Sequence, residues 1–194
     1  MPDSNTQFYN YLKNIINNKG LEHYLPSILM EFNYLQIKKN SFLVETGKVC
    51  NYFCYLEIGV LQHSIVSKGE EKTTYLALEN TATTALKSFK QSQPSRKNIK
   101  ALCDCNLWVI DLKKFNNLIN TNKGFKVFYH NLIENQIFLI DDYRINLLTQ
   151  TPEERYEGLL LNHPEIIQQI PLHYLASFLG ISSRHMSRIR KKIN

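Results

Sequence analysis

Basic side chains are concentrated near the end of this 194-residue sequence. Arg184, Arg188 and Lys191 recur at a spacing of three or four residues in a segment that contains no Asp or Glu. At about 100° per residue these cations share one face of a helix, opposite Met186 and Ile189. Arginine donates paired hydrogen bonds to guanine, and both cations bind phosphates. The pattern indicates a polyanion partner, and a basic face that is merely solvated is the alternative.

A helix-turn-helix would position this basic face. Ala176 supplies the small residue that the first helix needs where the second crosses it, and Gly180 supplies the tight turn. Ser182 can cap the second helix. These placements favour double-stranded DNA as the partner over a solvated face. The residues expected to contact DNA are Ser182, Ser183, Arg184, Ser187, Arg188 and Lys191.

Upstream, residues 34–110 predict an antiparallel β domain, because short β-favouring runs alternate with glycine-containing or charged turns. Residues 99–110 alternate with period two and predict a single strand. That strand would place Cys103 and Cys105 in the core. The other runs cover residues 52–56, 60–66 and 73–78.

A long helix is predicted over residues 125–148. Its apolar residues spread over a broad stripe, which indicates burial on two sides, one against the β domain and one against a second copy of the chain. We therefore expect a homodimer. A new helix begins near Thr151, where Thr151, Pro152 and Glu154 form a capping-box pattern.

Composition narrows the function classes. With 43% hydrophobic residues and a net charge of +6, the chain is globular rather than disordered. No apolar segment approaches the roughly 18 residues of a membrane span, so we expect a cytoplasmic protein without a membrane partner.

Sequence motifs for catalysis are absent. No phosphate-binding loop, nucleophile elbow or metalloprotease spacing occurs, so we expect no enzyme activity and no cofactor. The histidines show no ligand spacing, and we expect no metal. A four-thiolate site would need Cys50, Cys54, Cys103 and Cys105 on abutting strands, and core thiols are favoured instead.

The chain resembles the Crp/Fnr family of bacterial transcription regulators. Residues 47–61, which begin with Gly47 and end in YLEIGVL, are similar to the family's β-domain pattern, and residues 113–119 (KKFNNLI) are similar to its domain-ending helix. The resemblance implies an α+β fold: a cyclic-nucleotide-binding-like antiparallel β jelly roll (1–124), a dimerisation helix (125–149) and an all-α helix-turn-helix domain (150–194).

One departure from the family concerns the effector. Members that bind cyclic nucleotides carry Gly-Glu at a short helix and an Arg followed by a small residue about ten positions later. Residues 81–86 lack both Gly and Glu, and Arg96 is followed by Lys97. The candidate effector pocket comprises Thr83, Thr84, Ser95 and Arg96.

We therefore predict a DNA-binding transcription regulator that senses a small molecule other than a cyclic nucleotide. Two alternatives stay open. One is a cyclic-nucleotide-responsive regulator with an atypical pocket, and the other is a ligand-binding, protein-interaction module whose basic helix docks acidic partners.

Overall fold

The computed structural model describes residues 7–164, 167 and 170–193. It begins with helix α1 (Gln7–Ile16), a 3-10 helix (Lys19–Tyr24) and α2 (Leu25–Leu29). The apolar face of α1 buries Phe8, Leu12 and Ile16. The Phe8 ring stacks on Tyr55 of the β domain at a centroid distance of 4.5 Å, so the N-terminal helices are part of the main core.

An antiparallel β-sandwich of two four-stranded sheets follows, as predicted. One sheet has the order β1-β8-β3-β6 and the other β2-β7-β4-β5. Since consecutive strands often lie in different sheets, the core between the sheets is built from distant parts of the chain. The strands are β1 (Asn33–Ile37), β2 (Phe42–Val44), β3 (Tyr52–Ile58), β4 (Leu61–Ser67), β5 (Glu70–Ala77), β6 (Thr81–Thr83), β7 (Asn98–Ala101) and β8 (Cys105–Asp111).

The prediction of one strand over residues 99–110 is wrong. The chain bends at residues 102–104 and crosses from one sheet to the other, so β7 and β8 are separate strands. Ala101 and Cys105 are both buried, but so is Leu102, so the alternation of buried residues is interrupted at the bend. Cys103, by contrast, lies in the bend and is only half-buried.

The described residues contain six further helices, and none of the described helices is long and apolar enough to cross a membrane. Helix α5 runs over 27 residues and follows α4, which comes directly after the last strand. The predicted capping box at Thr151 is confirmed, since its side chain accepts from the Glu154 backbone N–H and the Glu154 carboxylate accepts from the Thr151 N–H. These helices are α3 (Leu86–Gln91), α4 (Leu112–Thr121), α5 (Lys123–Thr149), α6 (Pro152–Asn162), α7 (Leu172–Leu179) and α8 (Ser183–Ile193).

Gly59, between β3 and β4, packs against the bend at residues 102–104 where the chain crosses between the sheets. A substitution at Gly59 tests this packing. The φ of Gly59 is +108°, and a Cβ there would lie 2.6 Å from Cys105 Sγ and 2.9 Å from the Asp104 carbonyl oxygen. We expect Gly59→Ala to lower the free energy of unfolding in urea by at least about 2 kcal/mol, because strain and overlap combine.

Gly158→Ala is the matched control. Gly158 lies inside α6, and a Cβ there meets no atom within 4 Å. Gly158→Ala should raise the free energy of unfolding by up to about 1 kcal/mol, because alanine has the higher helix propensity. Equal effects of the two substitutions would contradict the close approach at Gly59.

Candidate functional site

Helices α7 and α8 are joined by a tight turn at Gly180, whose φ is +73°. The Ile181 N–H donates to the Ala176 carbonyl oxygen at 3.0 Å and closes the turn. Ser182 caps α8, because its Oγ accepts from the His185 N–H at 3.2 Å. Ala176 is fully buried where the helices meet. The three residue types singled out in the sequence therefore occupy the positions expected of them.

The basic face of α8 is open to solvent. Arg184, Arg188 and Lys191 are exposed, whereas Met186 and Ile189 are buried against the neighbouring helices. Ser182 and Ser183 are also exposed, and Ser187 is half-buried. The structure thus brings the six predicted contact residues to the open side of one helix and its N-terminal turn.

Two other polar residues of α8 make contacts within the protein. Arg190 Nε donates to Tyr156 Oη at 3.2 Å, and its guanidinium also lies 3.4 Å from the Ile167 carbonyl oxygen. His185 Nε2 lies 3.1 Å from a Glu153 carboxylate oxygen. Both contacts hold α8 to the preceding helical segment. The sequence pattern missed them because they join residues more than twenty positions apart.

The residues predicted to line an effector pocket do not all face the same way. Thr83 and Ser95 are buried, Thr84 is half-buried and Arg96 is exposed. Thr84 Oγ1 donates to the Tyr52 carbonyl oxygen at 2.8 Å, and Ser95 Oγ donates to the Lys97 carbonyl oxygen. The cation nearest this interior is therefore Lys97 rather than Arg96.

A buried histidine marks the inner end of this region. His63 is 2% exposed, its Nε2 lies 2.8 Å from Thr83 Oγ1, and its Nδ1 lies 3.4 Å from Lys97 Nζ. Burial, assisted by the charge of Lys97, lowers the pKa of His63 to about 3. An ammonium can only donate, so Nδ1 accepts and the neutral imidazole carries its proton on Nε2, facing Thr83.

Lys97 is a half-buried cation without an acidic partner. Burial lowers the pKa of its ammonium, and the charge of nearby Cys50 opposes that shift. No carboxylate of the described residues lies within salt-bridge distance of it. Such a group can pair with an anion. A sequence signal existed, because residues 86–100 contain five Lys or Arg and no acid.

The chemistry expected for a cyclic nucleotide is not assembled here. Helix α3 begins after Ala85, which provides no side-chain cap. The nearest acid in the sequence, Glu79, accepts from the Gly59 N–H at 3.0 Å and so has a structural partner. Within the described part of the chain, no cluster of three or more His, Cys, Asp or Glu could hold a metal ion.

The sequence profile of the family called cyclic nucleotide-binding domain matches residues 34–122. That range covers β2 to β8, α4 and all but the first residue of β1. The predicted resemblance to the Crp/Fnr regulators is confirmed. No curated protein sequence matches the chain.

Solved structures share the Crp/Fnr-like fold over most of the chain. FixK2 from Bradyrhizobium japonicum has a TM-score of 0.72 at 12% identity, with 84% of each chain covered. A regulator from Eubacterium rectale assigned to the Crp/Fnr family has a TM-score of 0.66 at 17% identity, over 95% of this chain and 87% of its own. The c-di-GMP responsive regulator CLP of Xanthomonas campestris has a TM-score of 0.66 at 14% identity, over 88% and 90%. At these identities the common property is the fold.

The buried His63 should make stability depend on pH. Its pKa is about 3 when folded against 6.5 as the reference, so the unfolded chain binds more protons below pH 6.5 and stability falls as pH falls. Proton linkage at His63 should therefore lower the free energy of unfolding by about 2 kcal/mol between pH 7 and pH 5.

Urea unfolding at the two pH values measures this effect. His63→Gln should remove that part of the loss, whereas His23→Gln, at an exposed site, should keep it. An unchanged pH dependence in His63→Gln would show that His63 is protonated in the folded protein.

Proposed function

We propose that this protein is a homodimeric, sequence-specific DNA-binding transcription regulator, without enzymatic activity, whose β-sandwich responds to a small molecule other than a cyclic nucleotide. The observation that carries the proposal is the exposed basic face of α8. In this reading, residues 172–193 form a helix-turn-helix and α8 is its recognition helix.

The geometry of α8 suits insertion into a major groove. Its buried side is fixed by Met186 and Ile189, so the opposite side projects Arg184 and Arg188 outward at a constant angle. Residues near the N-terminus of a recognition helix meet base edges, while Lys191, farther along, can reach phosphates. The cap and the turn at Gly180 keep this end of the helix rigid.

Helix α5 supports the dimer. Its first half is buried against the β domain through Phe125, Phe128 and Leu132. In its second half apolar side chains are open to solvent, with Ile137 59% and Leu148 88% exposed. The sequence predicted burial of two faces of one helix. In this proposal the first half of α5 is buried by the β domain and the second half by a second copy of the chain.

Spacing along the second half of α5 favours a coiled-coil pairing of two copies. Ile133, Ile137, Ile140 and Leu147 recur at intervals of four, three and seven residues, which form one seam of a two-stranded coiled coil. An exposed apolar seam of this kind is stabilised when a second copy covers it.

The β-sandwich and the C-terminal helices are in direct contact, which supports a sensing role for the sandwich. The Thr73 N–H of β5 donates to Ser177 Oγ of α7 at 2.9 Å. Tyr143 of α5 stacks on the Phe178 ring at 5.7 Å and lies within hydrogen-bonding distance of its carbonyl oxygen. A ligand that shifts the sandwich can therefore shift α7 and α8.

The nature of the effector follows from the interior residues. Lys97 donates to neutral His63 and has no acidic partner among the described residues, so its ammonium can also pair with a small anion. The paired donors and the carboxylate that a cyclic phosphate and its ribose need are not present among the described residues of this region. Relatives of this fold respond to different ligands, as the c-di-GMP responsive CLP illustrates.

Arg188→Ala tests the DNA contact. Losing a paired hydrogen bond to guanine should weaken binding to the selected operator by about 1 to 3 kcal/mol and relax base preference at one position. Lys191→Ala should weaken all duplexes alike and reduce the salt slope by about one.

Fluorescence anisotropy on operator and scrambled duplexes measures both effects. Lys19→Ala, which removes one exposed cation from the N-terminal 3-10 helix, should leave both affinities unchanged. Unaltered affinity and base preference in Arg188→Ala would contradict the groove assignment. Tighter retention on an acidic protein than on any duplex would favour the interaction module.

Ile137→Asp tests the dimer seam. A charge buried against its symmetry copy is strongly unfavourable, so the variant should sediment as a monomer at concentrations at which the wild type is a dimer. Asn135→Asp adds the same charge at an exposed position outside the seam and should remain dimeric. A monomeric wild type at micromolar concentration would contradict the proposal.

Cyclic AMP and cyclic GMP should give no binding heat when titrated calorimetrically at up to about 100 μM. Each buried ligand group left unpaired costs about 1 to 3 kcal/mol, so two missing contacts turn a micromolar ligand into a roughly millimolar one. A low-micromolar dissociation constant for either nucleotide would instead support the cyclic-nucleotide alternative.

A further inference from the structure

Two thiols meet at the crossing between the sheets. Cys105 begins β8 and is buried, and its Sγ lies 3.3 Å from the Cys103 carbonyl oxygen and 3.6 Å from the Val60 carbonyl oxygen. Cys103 lies in the bend of residues 102–104 and is half-buried. A solvent-accessible thiol thus has an enclosed thiol two residues away.

The two sulfur atoms interact with each other. The mutual influence of the two neighbouring thiols, chiefly side-chain hydrogen bonding to a Cys103 thiolate, lowers the pKa of Cys103 and raises that of Cys105. Cys103 is therefore the thiol that ionises first, and Cys105 keeps its proton. A partly exposed thiolate next to a second thiol is the usual arrangement of an oxidation-sensitive cysteine.

The other two thiols are both enclosed. Cys54 is fully buried, and burial raises its pKa well above the usual value. Cys50 is also buried, with its Sγ 3.4 Å from both the Tyr52 carbonyl oxygen and Thr84 Oγ1. They serve as internal controls within the same molecule.

Because Cys103 lies between the two hydrophobic cores, a change at this residue has a structural consequence. Cys103 packs against both hydrophobic clusters, the main core and the second core that contains α7. Its neighbour Leu102 belongs to the second core and donates its N–H to the Val60 carbonyl oxygen. A covalent change at Cys103 therefore acts where the sandwich supports α7.

We propose that Cys103 and Cys105 form a peroxide-oxidisable pair in which Cys103 is the reacting thiol and Cys105 the resolving thiol. The Cys103 thiolate attacks a hydroperoxide, an S–O bond forms, the O–O bond breaks, and the departing alkoxide or hydroxide takes up a proton. Cys105 then attacks the sulfenic acid, the S–O bond breaks, and water leaves with the Cys105 proton as the disulfide forms.

Peptide mapping after exposure to hydrogen peroxide tests this proposal. Trypsin releases both cysteines of the pair in one peptide, residues 101–113, and the two control cysteines in another, residues 49–68. We expect peptide 101–113 to lose the mass of two hydrogen atoms, reversibly with dithiothreitol. Peptide 49–68 should react at least about tenfold more slowly, as expected for enclosed thiols.

Two variants separate the roles. Cys105→Ser should accumulate a sulfenic acid on Cys103 that dimedone traps, because the resolving thiol is gone. Cys103→Ser should leave Cys105 unmodified at the same peroxide dose. Equal reaction of both peptides, or a Cys103→Ser variant that reacts as fast as the wild type, would overturn the proposal. Because the readout is covalent mass, the outcome does not depend on DNA binding.

Discussion

The crossing of the chain from one sheet to the other at residues 102–104 is the constraint on which much of this structure depends. Gly59 must approach Cys105 and Asp104 so closely that no side chain fits there. The same crossing turns Leu102 away from the main core and into the second core, beside Val60. The sandwich is thereby closed at one end, and the apolar platform for the C-terminal helices is created by the same few residues.

The same platform also fixes the position of α8. The second core joins Leu76 and Leu78 of the sandwich region to Leu175 and Met186 of the C-terminal helices, so the basic face is held at a defined orientation to the β domain. A single neutral hydrogen bond such as Thr73 to Ser177 contributes only about 1 kcal/mol. This hydrogen bond, unlike the apolar core beside it, is therefore weak enough for a ligand, a second subunit or an oxidised thiol to change it.

Sequence reasoning succeeded where local rules decide. Ala176, Gly180 and Ser182 act within a few residues of themselves, through packing at a crossing, a positive φ and a cap, so their spacing predicted the turn and the open face of α8. Sequence reasoning failed at residues 99–110, because apolar residues alternate in the sequence across the bend although the strand does not continue there. Nothing in a period-two pattern marks a change of sheet.

The sequence pattern also did not predict the interior polar cluster of His63, Thr83 and Lys97, for a related reason. His63 meets Lys97 because β4 pairs with β7, and it meets Thr83 across the sandwich from β6; both contacts join residues that are far apart in the sequence. The broad stripe of α5 predicted burial on two sides of the helix, whereas the structure buries its first half against the β domain and leaves apolar side chains of its second half exposed. Periodicity records which face is apolar and not where along the helix the domain ends. The second copy that would cover the exposed part stays a prediction.

The central claim is that two copies of α8, held in fixed relation by α5, read DNA. Selection of duplexes from a random library by the full-length protein tests this claim most directly. The account predicts enrichment of an inverted repeat whose half-site centres lie about one helical turn, or about 34 Å, apart. Enrichment of a single half-site, or no enrichment over the starting library, would contradict it.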